Sequence, residues 1–408
     1  MKFDQLKRRD FISLLSGAAR RSMRAPPEKQ TGHQRDLRLD FFRGLALIFI
    51  FIDHVPGDIL ANVTFHAFAF FDAAEVFVFI SGYTAAVAYG RLLNRKGALL
   101  AVAQIYHRVW QLYVAHVFLF VFFAAEASYA VLVLHTPDIA EALWVQKLVD
   151  EPHVAIINLL LLRYQPEFLD ILPMYIVLLA GFPAVLLALR RNPLLALVPS
   201  FALYAMTQIF GWHLTGYPDG YVWFFNPLAW QFLFVIGTTI GSCRLVGMPL
   251  FSRSSWFIAP TIAFAVLAAV IKVTWVVHFH FPEFPALLRD ALGAAAADKT
   301  NLGPLRLISF LALAVTTANL VRRDSAVLRL GVARWVIACG QNSLHVFCLG
   351  LILSVIGHFV MTQVNSGITA QMAINVAGCA LMIGLGEVLA WHKKANRMRG
   401  GAYDRNCW

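Results

Sequence analysis

Long apolar runs recur along the whole chain, separated by short segments that carry most of the charge. An apolar helix of about 20 residues crosses the hydrocarbon core of a bilayer, which is roughly 30 Å thick. The pattern therefore predicts ten membrane-spanning helices, at roughly 39–57, 68–90, 109–134, 169–189, 194–211, 223–242, 255–277, 304–321, 335–360 and 368–391. The apolar stretch 154–162 is too short to cross, and we interpret it as an interfacial or re-entrant segment.

The composition agrees with this pattern. Of the 408 residues, 59% are hydrophobic and only 14% are charged, and the mean hydropathy is +0.65. A soluble domain needs more polar surface than this to meet water. We therefore predict an all-α polytopic bundle over 38–391, with a basic arm at 1–37 and a basic tail at 392–408.

Lysine and arginine predict the orientation of the bundle, because they are enriched in cytoplasmic loops. Basic residues crowd the N-terminal arm, alternate loops and the tail. The loop clusters are Arg91, Arg95 and Lys96; Arg190 and Arg191; Arg244 and Arg253; and Arg322, Arg323, Arg329 and Arg334. The intervening loops hold only Lys147, Arg163, Arg289 and Lys299. Both termini are thus predicted to be cytoplasmic, in a bacterial inner membrane. The net charge of +11 is scattered over these clusters, which favours loop orientation over nucleic-acid binding.

The N-terminal arm allows a second interpretation. Arg8 and Arg9 precede a short apolar stretch and so resemble a twin-arginine export signal. That stretch is short and is closed by Arg20 and Arg21. A basic arm beside anionic headgroups is the interpretation we favour.

The five cysteines form no CxxC pair and no regular spacing. This spacing predicts neither a disulfide framework nor a zinc site, and we expect no metal and no tightly bound cofactor.

The first predicted span carries the densest set of ionisable residues. Arg43 and His54 are eleven residues apart, so on a helix they differ by about 20° around the axis and about 16 Å along it. One helix face would present an arginine near the cytoplasm and a histidine near the outer surface. Asp40 can pair with Arg43 at the inner end, and Asp53 lies beside His54 at the outer end. Ionisable groups within spans are costly, so each is a functional candidate.

The second span adds two carboxylates near the outer surface. A carboxylate beside a histidine fixes its tautomer and raises its basicity, as a general base requires. Glu75 is a candidate for this role, with a salt bridge or a helix N-terminal charge as the alternative. Asp72 fits the start of the helix better.

Further candidates lie on the other spans. Arg108, near the cytoplasmic end of the third span, can bind a phosphate or anchor to lipid headgroups. Asp170, Trp223 and Asn226 lie near the outer surface, where aromatics form an interfacial belt or, with amides and carboxylates, a sugar-binding mouth. Together with Asp72 they are the candidates for the acceptor side. The polar segment 340–345 either joins helices or contacts a ligand.

These positions favour transfer of a group from a charged cytoplasmic donor to an outer acceptor. Arg43 and Arg108 would hold donor phosphates, and Asp40 beside Arg43 belongs to the same predicted donor-binding set. His54 would take the proton of an acceptor hydroxyl as it attacks a thioester carbonyl. Glu75 or Asp53 would orient the imidazole ring. The donor of the oxyanion hydrogen bonds is not identified by the sequence.

Several strings resemble the OpgC family, within the wider group of membrane acyltransferases that modify sugars. They are RDLRLDFFRG (35–44), FIDH (51–54), DAAEVFVFISGYT (72–84), RVWQLYVAH (108–116), LPMY (172–175) and WFFNP (223–227). The resemblance extends over about 35–390. It implies a ten-helix transferase that moves a succinyl group from succinyl-CoA, as co-substrate, to periplasmic glucans. It also implies that His54 acts in catalysis and Arg43 in donor handling.

Two other classes of protein are alternatives to a membrane acyltransferase. A proton-coupled transporter also uses intramembrane His, Asp and Glu, but the halves of this chain show no internal similarity. A sensor or scaffold would use the polar residues only to hold helices together. Within the enzyme class, an O-acetyltransferase acting on another envelope polysaccharide is the alternative. The acyl group, the acceptor glycan and the oligomeric state are not determined by the sequence.

Overall fold

The computed structural model describes residues 36–132, 145–245, 255–363 and 367–403. The predicted basic arm, with its twin-arginine motif, therefore lies outside the described residues apart from its last two positions. Within the described ranges the regular secondary structure is helical, and the β-structure consists of two isolated bridges. The predicted all-α class is confirmed.

The helices are numbered in chain order. They are α1 Leu37–Asp53, α2 Phe65–Phe68, α3 Ala73–Lys96, α4 Ala98–Leu132, α5 Gln146–Asp150, α6 Pro152–Leu160, α7 Ile171–Arg191, α8 Leu194–Phe210, α9 Pro227–Leu245, α10 Ser255–His280, α11 Arg289–Ala297, α12 Pro304–Leu320, α13 Gly331–Gln341, α14 Ser343–Gln363 and α15 Ile368–Tyr403. Two 3₁₀ helices, Ile59–Val63 and Ala326–Arg329, lie in connecting segments.

Seven of these helices, α3, α4, α7, α9, α10, α14 and α15, are long and apolar enough to cross a membrane. The helices α1, α8 and α12 have 17 residues each, which is the lower end of the usual range for a span. Each of the ten predicted segments thus contains a helix. The count of ten spans and the cytoplasmic position of both termini stay predictions.

Local chemistry moves several predicted boundaries. The second predicted span begins at 68, whereas α3 begins at Ala73 because Asp72 caps it. The ninth predicted span is broken at Asn342 into α13 and α14. The apolar stretch predicted at 154–162 forms α6, which has nine residues and is therefore too short to cross a membrane. The last helix, α15, continues past residue 391 into the predicted tail.

The helix α1 packs against α3, α13 and α14. Its contact with α13 depends on two glycines. A Cβ at Gly44 would collide with the backbone carbonyl of Val336, and a Cβ at Gly340 would collide with that of Asp40. Small residues allow helix backbones to approach this closely in membranes, where packing rather than the hydrophobic effect joins helices.

One end of the bundle, which we call the Asp36 end, gathers basic residues from three separate clusters. Asp36 caps α1 and is almost fully buried, and its carboxylate binds Arg38 at 2.9 Å, Arg244 at 2.7 Å and Arg323 at 3.5 Å. Burial alone would raise the pKa of Asp36, but hydrogen bonds from Arg38 and Arg244 lower it to about 2. The three clusters therefore share one face of the bundle, as the charge pattern predicts. That this face is cytoplasmic stays a prediction.

The glycine contact between α1 and α13 generates a stability prediction. Gly44→Ala should separate the two helices and lower the unfolding temperature by several degrees, because overpacking costs about 1–3 kcal/mol. The measurement is thermal unfolding of the purified protein in detergent.

The matched control is Gly181→Ala on α7, where an added Cβ meets no atom within 4 Å. This variant should unfold at the same temperature or higher, because alanine favours a helix over glycine. Equal unfolding temperatures for Gly44→Ala and the unmodified protein would show that the close approach is not needed.

Candidate active site

The opposite end of the bundle, which we call the His54 end, contains the start of α3. The Asp72 side chain accepts a hydrogen bond from the backbone N–H of Ala74 at 2.8 Å. The Glu75 carboxylate accepts one from the backbone N–H of Asp72 at 3.0 Å, which completes a capping box. The prediction that Asp72 starts the helix is confirmed.

Both carboxylates also bind cations from distant parts of the chain. The guanidinium of Arg306, on α12, lies 2.7 Å from the fully buried carboxylate of Glu75 and 3.0 Å from that of Asp72. The Lys299 ammonium lies 2.8 Å from Asp72. A buried charge is tolerated only when it is paired and hydrogen-bonded, and these four residues satisfy one another. We call them the ion cluster.

The loop that carries Lys299 is held by side chains of α8 and α9. Trp230 Nε1 donates to the Lys299 carbonyl at 3.0 Å, and Tyr204 Oη donates to that of Leu302 at 2.9 Å. Asn226 Nδ2 donates to Asn301 Oδ1 at 3.1 Å. Burial would lower the pKa of Lys299, but Asp72 more than compensates and raises it. Lys299 is therefore a fixed cation at the His54 end.

His54 caps the C-terminus of α1. Its imidazole packs against the ring of Phe168, with centroids 4.4 Å apart and planes inclined by 52°. Its buried Nδ1 has no hydrogen-bond partner among the described residues. The charges of Lys299 and Asp72 act on it electrostatically.

The prediction that Glu75 or Asp53 orients this imidazole is wrong. Glu75 is engaged by Arg306, whose buried guanidinium requires a carboxylate partner. The Asp53 carboxylate instead accepts a hydrogen bond from Thr64 Oγ1 at 2.7 Å and lies 3.3 Å from His66 Nδ1. The alternative interpretation of Glu75, a salt bridge at a helix start, is the one that the structure shows.

Arg43 and Arg108 line the same cavity, which has a volume of about 200 Å³. Arg43 donates to Thr84 Oγ1 at 2.6 Å and to the Ile80 carbonyl at 3.3 Å, so α3 holds its guanidinium. Arg108, on α4, donates to Gln111 at 3.0 Å. The structure thus brings the two predicted donor-binding arginines together, from α1 and α4.

A wider cavity of about 420 Å³ adjoins the first one. It shares Ala88 and Tyr89 with the arginine-lined cavity and extends along α3 and α4 to Lys96 and Gln104. Lys96 lies at the last turn of α3, at the Asp36 end. The arginines can therefore be reached from the face where the basic clusters meet.

His54 lines neither of these two cavities, so they do not join it to Arg43. Aromatic rings occupy the space towards the His54 end. Phe77 stacks on Phe347 at 6.1 Å and meets the edge of Tyr175 at 6.1 Å, and all three line the arginine cavity.

The remaining predicted site residues are divided between these two regions. Asp40 is buried, and its carboxylate accepts a long hydrogen bond of 3.4 Å from Gln341 on α13. It does not line the arginine cavity. Asp40 therefore contributes to the contact between α1 and α13, and its role in donor binding stays a prediction.

Of the predicted acceptor-side residues, Asp72 belongs to the ion cluster and Asn226 is fully buried against the Lys299 loop. Asn226 therefore cannot contact an acceptor in this conformation. Trp223 is 5% exposed, and its buried Nε1 has no partner in the part of the chain that the structure describes. Asp170 directly precedes α7 and remains partly accessible.

Sequence reasoning missed Arg306, Lys299 and Phe168. Arg306 lies two residues inside the predicted span 304–321, so the rule that ionisable residues within spans are candidates already pointed to it. Lys299 is one of the few basic residues of its predicted face. Nothing in the sequence around Phe168 indicated its contact with His54.

The long apolar helices define the class of the molecule as a polytopic membrane protein. Its candidate active site consists of the cavity lined by two arginines and of the ion cluster near His54. A model of the OpgC protein family matches residues 35–394, nearly the whole chain. The chain belongs to the OpgC family, and this membership implies a membrane acyltransferase acting on glucans. Neither the comparison with curated proteins nor that with solved structures found a match.

Proposed function

We propose that this protein transfers an acyl group, succinyl by the family resemblance, from acyl-CoA on the cytoplasmic side to a hydroxyl of a periplasmic glucan. The observation that supports this most strongly is the cavity lined by two arginines, Arg43 on α1 and Arg108 on α4, since α1 is also the helix that ends at His54. The family membership supports the acyltransferase class and the glucan acceptor.

The donor would enter by the Asp36 end. Coenzyme A carries phosphate groups, and guanidinium groups bind phosphate with paired, charge-assisted hydrogen bonds. Lys96 lines the cavity at the Asp36 end, and Arg43 and Arg108 both line the adjoining one. The acyl end would then point towards Phe77, Tyr175 and Phe347, and these rings would have to move for the thioester to meet the acceptor.

In the transfer step, the hydroxyl oxygen of the acceptor forms a bond to the thioester carbonyl carbon while His54 takes the hydroxyl proton. The bond from that carbon to sulfur then breaks, and the proton passes to the thiolate to give free coenzyme A. The oxyanion formed in between needs a cation or hydrogen-bond donors. Lys299, held near His54 by the ion cluster, is suited to this role.

The acceptor would be bound at the His54 end. Asp170 precedes α7, and Trp223 precedes α9, so both lie in the segments that join helices at this end. The Asp170 carboxylate can accept hydrogen bonds from sugar hydroxyls. The Trp223 ring, which is 5% exposed, would have to move before its apolar face could meet a sugar.

The donor site generates the first kinetic prediction. Arg108→Ala should raise the KM for acyl-CoA about tenfold or more and leave the KM for the glucan unchanged, because a charge-assisted hydrogen bond contributes about 1.5–3 kcal/mol. The measurement is transfer of labelled acyl groups by the purified protein. The control is Arg91→Ala, an exposed arginine of α3 that lines neither cavity. If both variants behave alike, Arg108 does not bind the donor.

The proposed general base, His54, generates the second kinetic prediction. His54→Ala should lower kcat about 100-fold or more, as expected for loss of a general base, with an unchanged unfolding temperature. The control is His358→Ala on α14, whose Nδ1 also lacks a partner among the described residues but which does not line the arginine cavity. Full transfer by His54→Ala would contradict the proposed mechanism, and loss of folding would favour a scaffold.

A further inference from the structure

The position of the His54 ring is not fixed by a hydrogen-bonded carboxylate. Its backbone N–H is used to cap α1, and its Nδ1 has no partner within the described ranges. The side chain at the end of a helix is free to rotate unless something packs against it. The His54 ring packs against the ring of Phe168, and the two centroids are 4.4 Å apart.

Phe168 makes this contact from an unusual backbone conformation. Its φ is +69°, in the left-handed region, which a large aromatic side chain rarely adopts. Such a conformation persists only when the surrounding structure fixes it, and it is found most often at functional sites. An unstrained loop could hold a phenylalanine elsewhere, so the strain itself points to a requirement for this position of the ring.

The surroundings of Phe168 do fix it. The segment 162–170 joins α6 to α7, and the next residue, Leu169, is fully buried and donates its backbone N–H to the Pro166 carbonyl at 3.0 Å. Gln165 is 4% exposed and donates to the Leu162 carbonyl at 2.9 Å. The backbone on both sides of Phe168 is thus anchored by packing and hydrogen bonds.

We propose that Phe168 is a positioning residue for His54, and that the segment 162–170 holds its ring against the imidazole to set the direction of the proton-accepting nitrogen. This inference depends on the proposed function, in which His54 is the base. An apolar contact restricts the ring without occupying either nitrogen, whereas a carboxylate would occupy one. Phe168 would therefore affect the rate of transfer and not the binding of the donor.

A glycine substitution tests this directly, because it removes the ring and relieves the backbone together. Phe168→Gly should remain folded at the assay temperature, because relief of the left-handed backbone offsets part of the packing lost with the ring. Its kcat should fall about tenfold or more with an unchanged KM for acyl-CoA. Phe168→Tyr keeps the ring and should retain kcat within about threefold. These effects are measured with labelled acyl-CoA and glucan, beside thermal unfolding.

The same segment offers a matched control. Leu162 also has a positive φ, +61°, but has no aromatic ring to pack against His54, so Leu162→Gly relieves the same kind of strain and should retain kcat. Equal losses of kcat in the two glycine variants, or a loss that follows the unfolding temperature, would overturn the proposal in favour of a purely structural role. So would normal kcat in Phe168→Gly.

A comparison of Phe168→Gly with His54→Ala distinguishes failure of the positioning role from failure of the proposed function. If His54→Ala is inactive and Phe168→Gly is normal, the base stands and the positioning role is wrong. If His54→Ala is fully active, the proposed function fails first, whatever Phe168→Gly does.

Discussion

The ion cluster of Asp72, Glu75, Lys299 and Arg306 is the constraint on which the His54 end depends. Buried charges are costly, and each member of the cluster is tolerated because the others neutralise it. Through the cluster, the start of α3 is joined to α12 and to the loop that carries Lys299. Removal of one member would leave an unpaired buried charge, and the loop would lose the anchor that holds Lys299 near His54.

The two ends of α1 have different chemistry because different neighbours meet them. At the Asp36 end, arginines from three clusters converge on one carboxylate, and the adjoining cavities present cations to anything that enters. At the His54 end, charges are paired and the imidazole is held by an apolar ring. Between them lie Phe77, Tyr175 and Phe347. This division suits a reaction whose charged donor and sugar acceptor arrive from opposite sides.

Much of the fold could be predicted from the length of the apolar runs and from the positions of the basic residues, because both are local properties of the sequence. Each predicted span contains a helix, and Asp72 starts α3 as a capping residue should. The pairing of Glu75 with Arg306 could not be predicted, since 231 positions separate them and any cation near the His54 end was a possible partner. Likewise, the left-handed backbone of Phe168 follows from tertiary packing and leaves no local pattern. The two arginines that the sequence assigned to the donor do line one cavity, whereas the partners that it assigned to the histidine are engaged elsewhere.

The proposed reaction carries an acyl group from one side of the membrane to the other. It can be measured in sealed proteoliposomes with glucan enclosed in the lumen, labelled succinyl-CoA added outside, and the Asp36 end facing outwards. The structure leads us to expect labelled glucan in the lumen while the vesicles remain sealed. Labelling only when glucan is added on the same side as the donor would contradict transfer across the bilayer.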